Sequence, residues 1–180
     1  AQLHARQMTE AAAGAQRIAR GFDALGQGAL ASRMREVAGK VRDYATSFEQ
    51  LVADANRIGL TIEQGLQGSL RRSVHAAETA VTELNVDPLL VLILQMRRAE
   101  KDFQLRRDEA HVRQQAELRA AFLQALAAQP LPDARKQELV ALIDSYHRDF
   151  NALAAATLEM NQRLGSLSSA YRAVEPVQQA

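Results

Sequence analysis

Arginine is the side chain in this sequence best suited to recognition chemistry. Nineteen of its 22 basic residues are arginine and only three are lysine. A guanidinium presents a planar fork that grips a carboxylate at two points and stays charged when half buried, so a cluster of them suits binding of a small organic anion. Joint enrichment in arginine and alanine also follows from base composition, and most surface arginines simply face acidic neighbours. Within Asp87–Arg107, DPLLVLILQMRRAEKDFQLRR, the two kinds can be told apart. Arg98, Asp102 and Arg106 stand four residues apart and can satisfy one another along one helical face. Arg97 has only Glu100 three residues on, with Lys101 repelling it at four, and is the under-compensated cation. Phe103 behind it reads as core.

Other chemistries are not indicated. His4, His75, His111 and His147 lie on separate segments without the i, i+4 spacing of a metal-binding helix, and there is no cysteine. No cofactor and no metal are expected, and no catalytic constellation is visible. Gly65-Leu-Gln-Gly68 follows no strand and reads as a helix start, not a phosphate cradle. With 22 bases against 21 acids and no basic tract, nucleic acid is not an expected partner.

The elements that must position these arginines are helices. The chain has 180 residues, 47% of them hydrophobic, but only five Phe, three Tyr and no Trp, which suits a core of Leu, Val, Ala and Met. Met8, Ala11, Ala15, Ile18, Phe22 and Leu25 mark a first helix, loosened or ended by Gly21, Gly26 and Gly28. Leu30, Met34, Val37, Val41, Tyr44, Phe48, Leu51, Ala55 and Ile58 form a strict heptad seam. After Gly59 a third helix, capped by Thr61 or Ser69, carries Leu66, Leu70, Val74, Ala77, Val81 and Leu84. Asp87 and Pro88 are strong start signals for the next. Its seam of Leu89, Leu92, Met96, Ala99 and Phe103 slips in phase near Arg106 to His111, beyond which Val112, Ala116, Leu123 and Leu126 define a second seam. Pro130 and Pro132 stop it, and Asp133 can cap a last helix through Leu139, Ile143, Tyr146, Phe150, Leu153, Thr157, Met160, Leu164, Leu167, Tyr171 and Val174, closed by Pro176 and about 50 Å long.

A seam that long needs cover along its whole length. The preferred topology is therefore one long, slightly distorted helix over 88–128, with the shorter helices stacked end to end. The expected fold is all-α, an elongated bundle of two stacked four-helix modules sharing two long helices, with both chain ends at one pole. One module takes about 1–25, 74–105 and 153–176, the other about 29–72 and 108–152. In that arrangement Arg6, Arg97, Arg98 and Arg163 share a module, with the Ser166 and Ser169 hydroxyls one turn further along. Tyr146 and Arg148 are weaker candidates in the other module, and Tyr146 lies on the apolar seam.

Two segments resemble a known family. M-R-R-x-E-K-D-F-x-L-R after an apolar helix is similar to the signature of the helical bimodular ligand-binding domain of bacterial chemoreceptors and some sensor kinases. Gly65-Leu-Gln-Gly-Ser-Leu-Arg-Arg-Ser-Val-His-Ala-Ala-Glu78 resembles the segment preceding it there. The likeness is clearest over 60–108. The sequence departs at Ala99, where the family often carries histidine. The resemblance implies a periplasmic domain of a methyl-accepting chemotaxis receptor that binds C4 dicarboxylates and related acids with arginines from the first, central and last helices. It carries a role by motif only onto Arg97 or Arg98. It also implies a homodimer held in a bacterial inner membrane by flanking transmembrane helices. The longest apolar run, Leu89 to Leu94, is too short to cross a bilayer, so the segment reads as excised from a longer receptor. The rival expectations are a histidine-kinase input domain and a ligand-free structural or protein-interaction bundle.

Overall fold

A computed structural model describes residues 2–174, apart from the side chains of 2, 5 and 170–174. The Tyr171 and Val174 side chains and Pro176 lie outside what is described. The chain is an all-α bundle of six helices: α1 (Gln2–Ala24), α2 (Gly28–Ile58), α3 (Gly65–Leu84), α4 (Asp87–Arg106), α5 (Glu109–Ala127) and α6 (Asp133–Val174). Among the described residues none forms a strand, and no helix is long and apolar enough to cross a membrane.

The long helix expected over 88–128 is instead a hairpin. Arg107 adopts the left-handed conformation at φ 55° and its N–H returns to the Phe103 carbonyl at 2.7 Å, which closes α4. Asp108 then caps α5 by accepting from the Ala110 N–H at 2.8 Å. The phase slip near Arg106 to His111 therefore marks a reversal, and α5 packs back along α4.

The turn between α2 and α3 depends on glycine. Gly59 and Gly65 have φ of 111° and 54°, and a Cβ on Gly68 would collide with the Glu63 carbonyl. The motif glycines thus serve chain reversal. Neither Thr61 nor Ser69 caps α3: the N-cap position is Gln64, without a side-chain cap, and the Ser69 hydroxyl donates to Asp149 at 3.0 Å. Asp87 lies in the first turn of α4 after Val86, so it meets the helix dipole instead of capping.

Two compact units result, and they group the chain differently from the expected modules. One spans Asn56–Leu158: α3, α4, α5 and the first part of α6. Glu100 and Phe103 meet Tyr146 and Phe150, so α4 runs parallel to α6. Gln115 and Arg119 meet His147 and Asp144, so α5 runs antiparallel to it. With α3 also antiparallel, through Ser69–Asp149 and Arg135–Glu83, this is an up-down-up-down four-helix bundle. The hairpin supplies the fourth column, so 74–105 belongs to this unit.

Its core follows the seams with one shift on α4: Leu70, Val74, Ala77 and Val81 of α3, Leu89, Met96, Ala99 and Phe103 of α4, and Leu139, Ile143, Tyr146, Phe150 and Leu153 of α6 are buried, while on α4 Ile93 is buried and the expected Leu92 only half-buried. On α5 the buried set is Gln115, Phe122 and Leu126, so the phase read from Val112 and Ala116 is displaced because a glutamine holds a core position.

The other unit joins α1, α2 up to Ala55, and α6 from Glu159. Here most of the buried residues are alanines at seven-residue steps, Ala12 and Ala19 on α1 and Ala31, Ala38 and Ala45 on α2, joined by Leu51 of the expected α2 seam. Leu30 of the expected α2 seam is an exposed large hydrophobic. His4 packs edge-on to Phe48 at 4.6 Å, and Asp23 pairs with Arg35, so α1 and α2 form an antiparallel hairpin.

Candidate functional site

A cleft of about 190 Å³ lies between α3 and α4 in the four-helix unit. Gln67, Arg71 and His75 stand four residues apart and share one face of α3. Arg97, Glu100, Lys101 and Gln104 share the facing side of α4, while Ile62 and Leu70 supply apolar wall. Each helix turns its apolar seam inward, which leaves these polar faces along the groove between them. The two segments singled out in the sequence, 65–78 and 87–107, thus face each other across one cleft.

Glu100 forms its floor. It is 2% exposed, and both carboxylate oxygens are satisfied. Oε2 accepts from the Tyr146 hydroxyl at 2.9 Å and from Arg97 Nη1 at 3.3 Å. Oε1 accepts from Gln104 Nε2 at 3.2 Å and lies 3.2 Å from Lys101 Nζ. A buried carboxylate is tolerated when paired and hydrogen-bonded in this way.

Arg97 is not the under-compensated cation expected. Besides Glu100 it meets Glu78 of α3, Nε to Oε1 at 3.5 Å, a partner that exists only because α3 packs beside α4. Those two contacts engage Nε and Nη1. A guanidinium has five N–H donors, so the Nη2 edge can still face a ligand. Among the lining residues Arg71, Arg97 and Lys101 stand beside the single carboxylate of Glu100. Glu78 beside Arg97, and Glu63 at 3.7 Å from Arg71, bring the nearby carboxylates to three, so the cleft offers donors without a net positive surplus. The arrangement can hold a small anion by charge-assisted hydrogen bonds. The volume is below the roughly 300–1,000 Å³ of drug-sized sites and suits a small metabolite.

The other expected site residues lie elsewhere. Arg98 is 86% exposed and pairs along its own helix with Asp102 at 3.8 Å. Arg6 and Arg163 belong to the other compact unit and do not share a unit with Arg97. Arg163 pairs with Asp54 at 3.0 Å and donates to Gln50 at 2.7 Å. Ser166 shares a polar groove with Arg163, Ser47 and Gln50, but its hydroxyl donates to its own helix at Gln162 O. Ser169 likewise donates to Gly165 O. Tyr146 is fully buried and already bonded to Glu100, so it cannot be a direct ligand. Arg148 is exposed beside Asp149 at 3.6 Å.

Sequence reasoning missed Gln67, Arg71, His75, Lys101 and Gln104 as cleft residues. The four-residue spacing of the first three was a usable signal, but only the packing of α3 on α4 shows that the two faces meet.

A second polar cluster lies between α5 and α6. His147 Nδ1 is 2.6 Å from Gln115 Oε1 and its Nε2 is 3.0 Å from Asn151 Nδ2, an arrangement satisfied by a neutral ring protonated on Nδ1. Burial pushes its pKa down, the nearby Arg119 pushes the same way, and Asp144 opposes both. Arg119 donates from Nε and Nη2 to Asp144 Oδ1 at 2.9 and 2.6 Å. Among the described residues no three His, Asp or Glu side chains are grouped to hold a metal ion.

Comparison with protein-family models, with curated proteins and with solved structures returns no match to this chain.

Proposed function

We propose that this chain is the ligand-binding domain of a membrane-anchored bacterial chemoreceptor, and that it recognises a small organic acid such as a C4 dicarboxylate in the α3–α4 cleft. The observation that carries this is the meeting of the two segments resembling the bimodular sensor family across one cleft, with Arg71, Arg97 and Lys101 gathered on its walls. The receptor context is carried by the residue resemblance alone: a periplasmic location, flanking membrane anchors, action as a homodimer, and no catalysis. A dicarboxylate held between Arg71 on α3 and Arg97 and Lys101 on α4 favours one relative placement of the two helices. It shifts the equilibrium by its difference in affinity between the two states.

Titration calorimetry of the purified domain against malate, succinate, fumarate, citrate and acetate tests the reading. A saturable dicarboxylate signal is expected, lowered about tenfold or more by Arg97→Ala or Arg71→Ala, since each removes a charge-assisted contact. Arg98→Ala is expected to leave it unchanged. Absence of binding by every acid would overturn the proposal.

A second reading is a structural or protein-interaction bundle without a small ligand. It is favoured by the acidic partner beside each of Arg97, Arg98, Arg148 and Arg163. On that reading no acid binds, and Arg97→Ala changes stability only. A histidine-kinase input domain would share the cleft and differ only in the output domain joined to it.

A further inference from the structure

We infer that Tyr146 of α6 is a positioning residue for the acid cleft, acting through Glu100 to keep the Arg97 guanidinium available to a ligand; this rests on the cleft being the acid site. Glu100 Oε2 is shared between two donors, the Tyr146 hydroxyl at 2.9 Å and Arg97 Nη1 at 3.3 Å. The phenol bond is the shorter of the two, and both Tyr146 and Glu100 are buried, so water cannot stand in for the hydroxyl. Without it, Arg97 becomes the sole donor to that oxygen, and a buried carboxylate oxygen with an unmet lone pair draws its remaining donor inward. The guanidinium then sinks toward the floor, and its outer edge faces the cleft less well.

The same geometry makes α6 a party to binding. α6 reaches the cleft floor from behind: Tyr146 contacts Glu100, and Phe150 packs edge-on to Phe103 one turn further along, centroids 5.6 Å apart. The aromatic pair sets the register of α6 on α4, and that register places the hydroxyl. By reciprocity, an acid that engages Arg97 alters the share of Glu100 borne by Tyr146, so occupancy of the cleft is felt on α6.

The test is a double-mutant cycle read by calorimetry with malate and succinate, on wild type, Tyr146→Phe, Glu100→Gln and the double variant. Helical circular dichroism checks each fold. Tyr146→Phe removes one hydroxyl and is expected to weaken acid binding about tenfold. In the Glu100→Gln background, where no buried charge competes for Arg97, the same change is expected to alter affinity by less than about twofold. A merely structural tyrosine would lower thermal stability without that background dependence. If Glu100→Gln does not hold its helical signal, Arg97→Gln takes its place, leaving no cation at that position for Glu100 to draw, with the same loss of coupling expected. Wild-type binding that Tyr146→Phe leaves intact, or equal losses in both backgrounds, overturns the positioning role and spares the cleft. Absence of binding in wild type overturns both.

Discussion

Tyr146 donates its hydroxyl to the Glu100 carboxylate at 2.9 Å, with neither side chain exposed to any useful degree. Burial first, and then the adjacent Glu100 charge, push the phenol pKa far above its ordinary range. A pKa raised in the folded state contributes stability that is complete below the unfolded value, about 10, and is lost as pH climbs above it. Tyr146→Phe is therefore expected to be less stable than wild type at pH 8 but to lose less stability than wild type as pH rises beyond about 10. Ultraviolet difference absorbance between the two should show no Tyr146 phenolate until the chain unfolds; phenolate appearing while the helical signal is intact would contradict the buried bond.

Removing the carboxylate itself is a harsher change. Glu100→Ala leaves the Tyr146 hydroxyl without its acceptor and Arg97 and Lys101 without their buried partner. The expected loss in urea unfolding is about 1–3 kcal/mol, the range for leaving a buried hydroxyl without its acceptor. Asp102→Ala, which removes the partner of the exposed Arg98, is expected to cost under about 1 kcal/mol. Equal effects of the two substitutions would show that the Glu100 carboxylate is not buried.

His147 predicts sensitivity to acid. Its pKa is lowered in the folded state, by burial most of all, so the neutral ring favours folding and the unfolded chain takes up the proton first. The sign is therefore a stability present above the unfolded value, about 6.5, and lost as pH falls through it toward the folded value. Protonation would also end the acceptance by Nε2 from Asn151 and place a cation near Arg119. His147→Gln is expected to flatten the urea midpoint between about pH 7 and 5 relative to wild type. A wild-type midpoint that does not move over that range would refute the neutral relay.

The α4–α5 hairpin can be tested at its two hinge residues. Arg107→Gly removes a Cβ from a left-handed position and is expected to stabilise by a few tenths to about 1 kcal/mol. Asp108→Ala removes the α5 cap and is expected to cost about 1 kcal/mol. If the chain instead ran as one continuous helix here, the glycine would destabilise by about 1 kcal/mol, so the sign of the Arg107 result separates the two topologies.

What local sequence determined was the set of helical stretches and most of the inward faces. Periodicity is a property of adjacent turns, so Leu70, Val74, Ala77 and Val81, or Leu139, Ile143, Tyr146 and Phe150, declare their buried side without reference to any partner. The proline and glycine stops at 129–132 and after Ile58 are equally local. What only the tertiary structure decided were relationships between residues far apart in the chain or unmarked by type. Arginine is an uncommon left-handed residue, so Arg107 gave no turn signal, and the hairpin follows from burial of α5 against α4. Gln115 sits at a core position that no apolar pattern can announce. Small alanines became the buried line of α1 and of α2 as far as Ala45, with the larger seam residues Leu51 and Ile58 buried only toward the end of α2. The cleft is of the same kind: Arg97 meets Glu78, and Glu100 meets Tyr146, only because packing aligns α3 and α6 on either side of α4. Charge pairing within one helix can be counted along the sequence, whereas pairing between helices depends on a register set by the core.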